Sequence, residues 1–424
     1  MRTCYAHHLT ISLLLIISAS ASSQPAEHLH EELTLSDSLS LSQIISASVE
    51  HSSESLLRGA KREQANALES LSRGVIPGQA SWQLSLLDDR FSDNLGVQEI
   101  EMGIQLALWH RNERAVTGAL SKTAFQRAQA YSHYLRWLSA GRVRQALEEL
   151  ASAVLDVDRA KDNLAILTSI TEMVERQVQA GELPLADSLR VEAEALEFEL
   201  ALFDAQAELV DAERNYASIT GLSVRPAEIA AEALSPQQSF AEAKNLITLA
   251  HPLLNLLSLD ASFANGKAER AAFTSRNRTT ISLGGRREKA GAMVPTSDTV
   301  GIGISVPIGG KKLSRPAVVA AKETAVEAEI ALQRARRNLE KEYHEIEHER
   351  FITTEAITLT ESRKNLAQKR LDMALVAFEE AETDIEQLLR IRRHLNEISR
   401  ELDTYRLKQN TLIARVNQVL GEAP

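Results

Sequence analysis

Cysteine is nearly absent from this chain. Only one of its 424 residues is a cysteine, Cys4, and it lies in an N-terminal segment that we expect to be removed. The mature chain should therefore have no disulfide bond, no thiolate metal ligand and no thiol nucleophile. No small-residue lipobox precedes a cysteine at the expected cleavage position, so we do not expect an acylated N-terminus either.

Aromatic residues, glycine and proline are also scarce. Aromatics make up 4% of the chain, and it contains only 18 glycines and 10 prolines. Alanine, leucine, glutamate and arginine are abundant instead, a composition typical of long helices and coiled coils. Acidic residues outnumber basic ones by 58 to 47, a formal charge of −11. This balance argues against a nucleic-acid partner.

The one long apolar run is LTISLLLIISASA near the N-terminus, and it is too short to span a bilayer as a helix. It follows Arg2 and ends in Ala19-Ser20-Ala21, a small-x-small pattern that signal peptidases accept. We therefore predict a signal peptide at 1–21, cut near Ser22, and an exported chain. No later run approaches the roughly 20 residues of a membrane helix. The exported chain should be periplasmic, secreted or inserted as a β-barrel.

Most of the remaining sequence predicts very long helices. Residues 112–179 contain no proline, and their apolar positions alternate in steps of three and four, which indicates a coiled-coil seam. The same pattern covers 187–220, 316–379 and 388–419. A helix of about 65 residues would be on the order of 100 Å long. Such helices must be extended arms, because a single globular domain cannot contain them.

Each long helix is interrupted by a turn, and the two turns lie 200 residues apart. GELPLADSLR occupies 181–190 and AETDIEQLLR occupies 381–390. Both contain turn formers, so each should fold a long helix back on its neighbour as a helical hairpin. Gly221 and Gly421 would end the returning helices. The second turn has Ala381 in place of glycine and must form without a residue that favours positive φ.

A pair of strands precedes each hairpin. QEIEMGIQLALW and DTVGIGISVPIGG alternate apolar with polar or small residues, the period of a strand with two different faces. The segments FSDNLGV and RREKAGAMVPTS should be hairpin loops between paired strands. We predict a first structural repeat at 22–235, with strands at about 80–88 and 98–109 and a helical hairpin at 112–221, and a second at 236–424, with strands at about 278–285 and 298–308 and a hairpin at 312–421.

Strands of about ten residues with one apolar face match the strands of transmembrane β-barrels. Four strands cannot close such a barrel, and open edges cannot face lipid. Either the strands form a soluble sheet, or several copies of the chain contribute to one barrel. The predicted fold is therefore mainly α with a small β part. Three copies, a homotrimer, would supply a 12-stranded barrel, continued by an α-helical coiled-coil tube.

This order of elements resembles the TolC-like outer-membrane factor family, the outer membrane efflux proteins. The resemblance rests on VERQVQAGELPLADSLR, FEEAETDIEQLLR, the helix ends SITGL and QVLGE, and the passages QLALWHRNERA and ISVPIGGKKLSR. It implies an outer-membrane location extending into the periplasm and a passive duct of a tripartite efflux or type I secretion system. Its partners would be a periplasmic adaptor, an inner-membrane pump and outer-membrane lipid. The resemblance implies no enzyme activity and no cofactor.

By the same resemblance, the two hairpin turns would form the periplasmic tip that meets the adaptor and gates the duct. Small turn residues would permit close approach, and an exposed leucine could enter an adaptor groove; alternatively, these leucines close the core of their own turn. Asp187 and Asp384 are expected to be solvated acids at helix starts, although they could also line a constriction. The residues carried over are Gly181, Leu183, Asp187 and Leu189 at the first tip and Ala381, Thr383, Leu388 and Leu389 at the second.

In a barrel, the polar face of the second strand would line the lumen. Glu99, Glu101 and Gln105 share that face by alternation. They would favour a wide, water-filled pore rather than catalyse a reaction.

One motif suggests an enzyme. HEIEH at 344–348 matches H-E-x-x-H, which on a helix presents two histidines as zinc ligands with Glu345 as a base. A catalytic zinc needs a third protein ligand, and this charged helical stretch offers none. We expect a solvated helix face and no metal site. The main alternative to a channel is a periplasmic structural or adaptor protein whose strands form a soluble sheet.

Overall fold

A computed structural model describes residues 33–234, 247–380 and 382–424. The predicted signal peptide and Ala381 lie outside these residues. The described part between Leu33 and Pro424 forms one compact unit. Its elements are β1 (Thr34–Ser36), α1 (Leu41–His51), a 3-10 turn (Ser53–Ser55), α2 (Leu56–Arg73), β2 (Ser81–Asp88), β3 (Val97–Ala107), α3 (Glu113–Ala180), α4 (Leu185–Thr220), β4 (Val224–Pro226), α5 (Pro252–Thr274), β5 (Thr280–Ala290), β6 (Ser297–Ser305), α6 (Lys311–Glu379) and α7 (Ile385–Val419).

The two longest helices, α3 and α6, contain 68 and 69 residues. At about 1.5 Å per residue each is on the order of 100 Å long. Each turns back into a shorter helix, α4 or α7, and so forms an antiparallel hairpin. No helix among the described residues is both long and apolar enough to cross a membrane.

The two hairpin turns use different chemistry. Gly181 ends α3 with a φ of 77° and donates its N–H to the carbonyl of Val178, a left-handed cap that glycine adopts without steric cost. The second turn has Glu380 at the helix end with a φ of −85°. There, the Asp384 side chain caps α7 by accepting from the Gln387 N–H at 2.7 Å. A side-chain cap therefore starts α7, whereas Pro184 starts α4 without one.

Apolar residues from all four long helices meet near the tips. Leu167 on α3, Val191 on α4, Phe378 on α6 and Leu388 on α7 belong to one buried cluster. This shared core joins the two hairpins side by side. The four hairpin helices contact one another in the order α4, α3, α7, α6, which leaves α4 and α6 at the two edges of this four-helix layer.

At the other end of the long helices lies an antiparallel sheet in the order β2-β3-β5-β6. Strand β5 extends to Ala290, beyond the predicted end at 285, so the charged RREK segment is strand rather than loop. The reason is nonlocal: Arg286 pairs with Glu99 on β3, and Arg287 pairs with Asp298 on β6. Strand β6 stops at Ser305, before the predicted 308, where Pro307 has no N–H to donate.

Candidate functional site

One face of the sheet is apolar, and no other part of the described chain covers it. Register and alternation place side chains from all four strands on it, and most are exposed: Trp82, Leu84, Leu86, Ile100, Met102, Ile104, Leu283, Val300, Ile302 and Ile304. Trp82, for example, is 72% exposed. Soluble monomers rarely leave so large a contiguous apolar surface in water. This face therefore needs a covering of lipid or protein.

Polar side chains border this apolar face at the hairpin end of the strands. Arg287 forms two hydrogen bonds with Asp298, at 2.7 and 2.8 Å. Arg90 is likewise bound to Asp88 at the end of β2. The apolar band thus ends in paired charges, as expected where a strand passes from an apolar to an aqueous environment.

The opposite face is polar, and the three residues predicted for a lumen lie together on it. Glu99 accepts a hydrogen bond from Arg286 at 2.8 Å, and Gln105 donates to the Thr280 hydroxyl at 2.9 Å. Glu101 is exposed between them. Arg286, whose segment was assigned to a loop, is the residue that sequence reasoning missed on this face. Only the strand register, which sets it opposite Glu101, could have revealed it.

The sheet has two free edges, on β2 and β6. Each edge presents backbone N–H and C=O groups that no strand of the described chain pairs. Strands β3 and β5 join the strand pair β2–β3 to the strand pair β5–β6. They pair at eleven positions, from Val97–Ala290 to Ala107–Thr280. Free edges of this kind are a template for pairing with a strand of another chain.

The first hairpin tip presents exposed residues. Gly181 is exposed, and a Cβ added there would meet nothing within 4 Å. Leu183 and Asp187 are half-buried, and Leu189 is 57% exposed. Leu185, which the sequence analysis did not single out, is 67% exposed. Its spacing of four residues from Leu189 was the available signal, since both then lie on one helix face.

The second tip differs, because its two leucines are not available to a partner. Leu388 is fully buried and Leu389 almost so, both within the shared core of the hairpins. Thr383 is half-buried, and Ala381 lies outside the described residues. Leu388 and Leu389 are buried because α7 lies between α3 and α6, whereas α4 lies at an edge. An exposed-leucine role is thus open to Leu189 and not to this pair.

The two tips are joined by ion pairs. Arg190 lies 3.3 Å from Glu386, and both side chains are mostly exposed. Farther from the tip, Arg393 lies 3.6 Å from Glu194, whose side chain is only 11% exposed. An exposed pair such as Arg190–Glu386 stabilises by at most about 1 kcal/mol. That pair can therefore break at little cost when the tips move.

The HEIEH segment lies on the surface of α6. His344 and His348 are both exposed, and His344 is 3.7 Å from Glu347. Across the described ranges, no group of three or more His, Cys, Asp or Glu side chains is arranged to hold a metal ion.

Comparison with known proteins gives matches in fold alone. No protein-family model matches the chain, and no curated protein matches it in sequence. Among solved structures, the outer-membrane channel OprN matches with 17% identity over 90% of this chain and 89% of its own, at a TM-score of 0.69. The outer membrane protein VceC from Vibrio cholerae matches with 15% identity over 90% and 96%, at 0.69. The CmeC outer membrane channel from Campylobacter jejuni matches with 14% identity over 90% and 85%, at 0.66.

These likenesses extend over nearly the whole of both chains, so the fold is that of outer-membrane channel proteins. The resemblance to the TolC-like outer-membrane factors is thereby confirmed at the level of the fold.

Proposed function

We propose that this chain, which has the fold of TolC-like outer-membrane channels, is the subunit of a homotrimeric outer-membrane duct. The observation that carries the proposal is the four-stranded sheet with an uncovered apolar face and two free edges. A duct of this kind is passive. An inner-membrane pump of a tripartite efflux or type I secretion system would supply the energy through a periplasmic adaptor.

Strand direction supports closure of the sheet into a barrel. Because β2, β3, β5 and β6 alternate in direction, β6 of one copy would meet β2 of the next antiparallel. Three copies would give twelve strands, above the minimum of about eight for a membrane barrel. The eleven residues of β3 would rise about 36 Å along the strand. Tilted by roughly 45°, they cover the roughly 25 Å apolar band of such barrels.

In this arrangement the apolar face meets lipid, and Glu99, Glu101 and Gln105 line the lumen. The Arg286–Glu99 pair lowers the net negative charge of that lining without making it apolar. A polar lining keeps the lumen filled with water, so the duct would pass hydrophilic cargo.

The helical hairpins would continue the barrel as a periplasmic tube ending at the tips. There the first turn, with Gly181, Leu183, Asp187 and Leu189, would present its surface to the adaptor. In the second turn, Ala381 and Thr383 would contact the adaptor, whereas the buried Leu388 and Leu389 would hold the two hairpins together. Movement of one hairpin against the other would open the tip, since the Arg190–Glu386 pair that joins them there is exposed.

Tryptophan fluorescence tests contact with lipid. A variant that keeps only Trp82 (Trp109→Phe, Trp137→Phe) should lose fluorescence in vesicles of brominated phosphatidylcholine. The matched control keeps only Trp137, whose indole N–H donates to the Gln418 carbonyl at 2.8 Å among the helices; its fluorescence should not change. Equal fluorescence of Trp82 in brominated and unbrominated vesicles would contradict the barrel and favour a periplasmic structural or adaptor protein.

A further inference from the structure

Helices α4 and α6 lie at opposite edges of the four-helix layer. Helix α4 packs along α3, and α6 packs along α7; within the described residues, α4 and α6 share no extended contact. Over the half of the layer nearest the tips, each edge helix therefore has one side that the described residues leave uncovered.

The uncovered side of each edge helix carries an apolar stripe. On α4 the stripe consists of Leu189, Leu196 and Phe203, seven residues apart, and on α6 of Ile352, Leu359, Leu366 and Met373, also seven apart. All seven side chains are more than half exposed. A seven-residue apolar repeat is the pattern that packs one helix against another in a coiled coil. Each stripe could therefore pack against a matching apolar stripe on another helix.

The two helical hairpins are aligned along the helix axes, so residues equally far from their own turns lie at the same distance from the tip. Arg159 on α3 and Asp403 on α7 are equally far along the chain from the turn positions 181 and 381, and their side chains lie 3.9 Å apart. Glu194 and Arg393, at nearly equal separations from the same two positions, lie 3.6 Å apart. Separation along the chain from the turn is therefore a common measure of height for the four helices.

On that measure the two stripes match. Leu189 on α4 and Met373 on α6 are equally far along the chain from their own turn positions, and the same holds for Leu196 with Leu366 and for Phe203 with Leu359. The helices also run in opposite directions, α4 away from the tip and α6 toward it. An α4 stripe and an α6 stripe could therefore pack antiparallel with every apolar layer in register.

The charges between the layers are complementary. Glu192 lies between Leu189 and Leu196 on the α4 stripe, and Lys369 lies between Leu366 and Met373 on the α6 stripe. Their separations from the turn positions are nearly equal, and both are exposed with no ion pair inside the described chain. A polar pair within an apolar seam sets the register of a coiled coil. These two residues are placed to do so.

We propose that α4 of one copy packs antiparallel against α6 of the next copy, with Leu196 against Leu366, Phe203 against Leu359 and Glu192 beside Lys369. This seam rests on the proposed homo-oligomeric duct and specifies how its copies meet. The layer of Leu189 and Met373 is the last before the tip. An adaptor that binds Leu189 would have to separate it from Met373.

Disulfide cross-linking tests the register. In a Cys4→Ser background, the pair Leu196→Cys and Leu366→Cys should give covalent oligomers that disappear on reduction. The matched control, Leu196→Cys with Leu359→Cys, is displaced by one heptad, about 10 Å along the helix. That exceeds the roughly 7 Å between Cα atoms that a disulfide can bridge, so the control should remain monomeric after boiling without reductant.

Charge reversal gives a second test for the case that the cysteine variants do not fold. Glu192→Lys and Lys369→Glu should each lower the temperature at which the oligomer dissociates, and the double variant should recover it. Unboiled oligomers that fail to cross-link at 196 and 366, or that cross-link at 196 and 359, would overturn the seam and leave the duct intact. Absence of any oligomer from all variants and from the unaltered chain would overturn both.

Discussion

Glu113 and Arg278 form a buried, two-pronged ion pair where the sheet joins the helices. The two guanidinium nitrogens of Arg278 each donate to one carboxylate oxygen of Glu113 at 2.6 Å. Glu113 is in the first turn of α3, and Arg278 comes two residues before β5. The pair therefore ties the start of the first long helix to the start of the third sheet strand. Burial raises the pKa of Glu113, but the hydrogen bonds from Arg278 and from the His110 N–H outweigh it, so this pKa lies below its ordinary value.

Removal of Arg278 should destabilise the chain strongly. Arg278→Ala would leave the Glu113 carboxylate buried without its counter-charge, at a cost of about 3–5 kcal/mol. The control is Arg363→Ala, which removes a mostly exposed pair with Glu401, worth at most about 1 kcal/mol. Urea unfolding of the detergent-solubilised protein, followed by circular dichroism, measures both. Equal losses for the two variants would contradict the structural role of the Glu113–Arg278 pair.

His251 should make stability depend on pH below neutrality. The ring is buried at the start of α5, edge-on to Trp137 at 5.1 Å. Burial lowers its pKa from 6.5 to about 4, only partly offset by the Gln418 and Val419 carbonyls. Between these values the unfolded chain binds the proton and the folded chain does not. The contribution of neutral His251 to the free energy of unfolding should therefore be fully present above about pH 6.5 and be lost as the pH drops toward 4.

The variant His251→Asn tests this dependence, because asparagine keeps a side-chain acceptor for the Leu253 N–H and removes the titrating ring. Its melting temperature should vary less between pH 6.5 and 4 than that of the unaltered protein. If the melting temperatures of the variant and the unaltered protein change equally with pH, another group is responsible.

Three helix-ending glycines should differ in their tolerance of alanine. Gly181, Gly221 and Gly421 all have positive φ, at 77°, 70° and 87°, which costs an alanine about 1–2 kcal/mol. At Gly181 a Cβ would meet nothing within 4 Å. At Gly421 it would lie 2.7 Å from Pro252 and 2.8 Å from the buried His251. The melting temperature should fall least for Gly181→Ala and most for Gly421→Ala.

The melting temperature of the Gly221→Ala variant should lie between those of the other two variants. Its Cβ would lie 2.7 Å from the His51 ring, which is exposed and can turn aside. The reverse order of melting temperatures would contradict the packing of the two helix ends.

Leucines at the two tips should respond differently to truncation. Leu388→Ala would open a cavity in the core shared by the hairpins, at about 2–5 kcal/mol. Leu185→Ala removes an exposed side chain and should change stability by about 0.5 kcal/mol or less. Urea unfolding compares them directly. A large loss for Leu185→Ala would mean that the first tip is also packed within the chain.

The sequence was sufficient to predict the long helices, their turns and three of the four sheet strands to within a few residues, because seven-residue and two-residue periods are local signals. The far end of β5 was not predictable in that way. Arg286 and Arg287 resemble loop residues until their partners Glu99 and Asp298, on two other strands, are known.

The same limit applies to the tips. Leu189 and Leu389 occupy matching positions 200 residues apart, yet the first is exposed and the second is buried. The difference comes from the order of the four hairpin helices, in which α7 contacts both α3 and α6 and α4 contacts α3 alone. Helix order follows from contacts between distant segments and cannot be inferred from the sequence of either turn.

The central claim, a duct built from three copies, is tested most directly by the mass of the unboiled protein from the outer-membrane fraction, with a boiled control. The chain has a mass of 46.7 kDa before signal removal. The account predicts a species of about three times the mass of the mature chain, which dissociates to the monomer on heating. A monomer of the same mass with and without boiling, recovered from the periplasm, would contradict it, because the four-stranded sheet of one chain cannot enclose a pore.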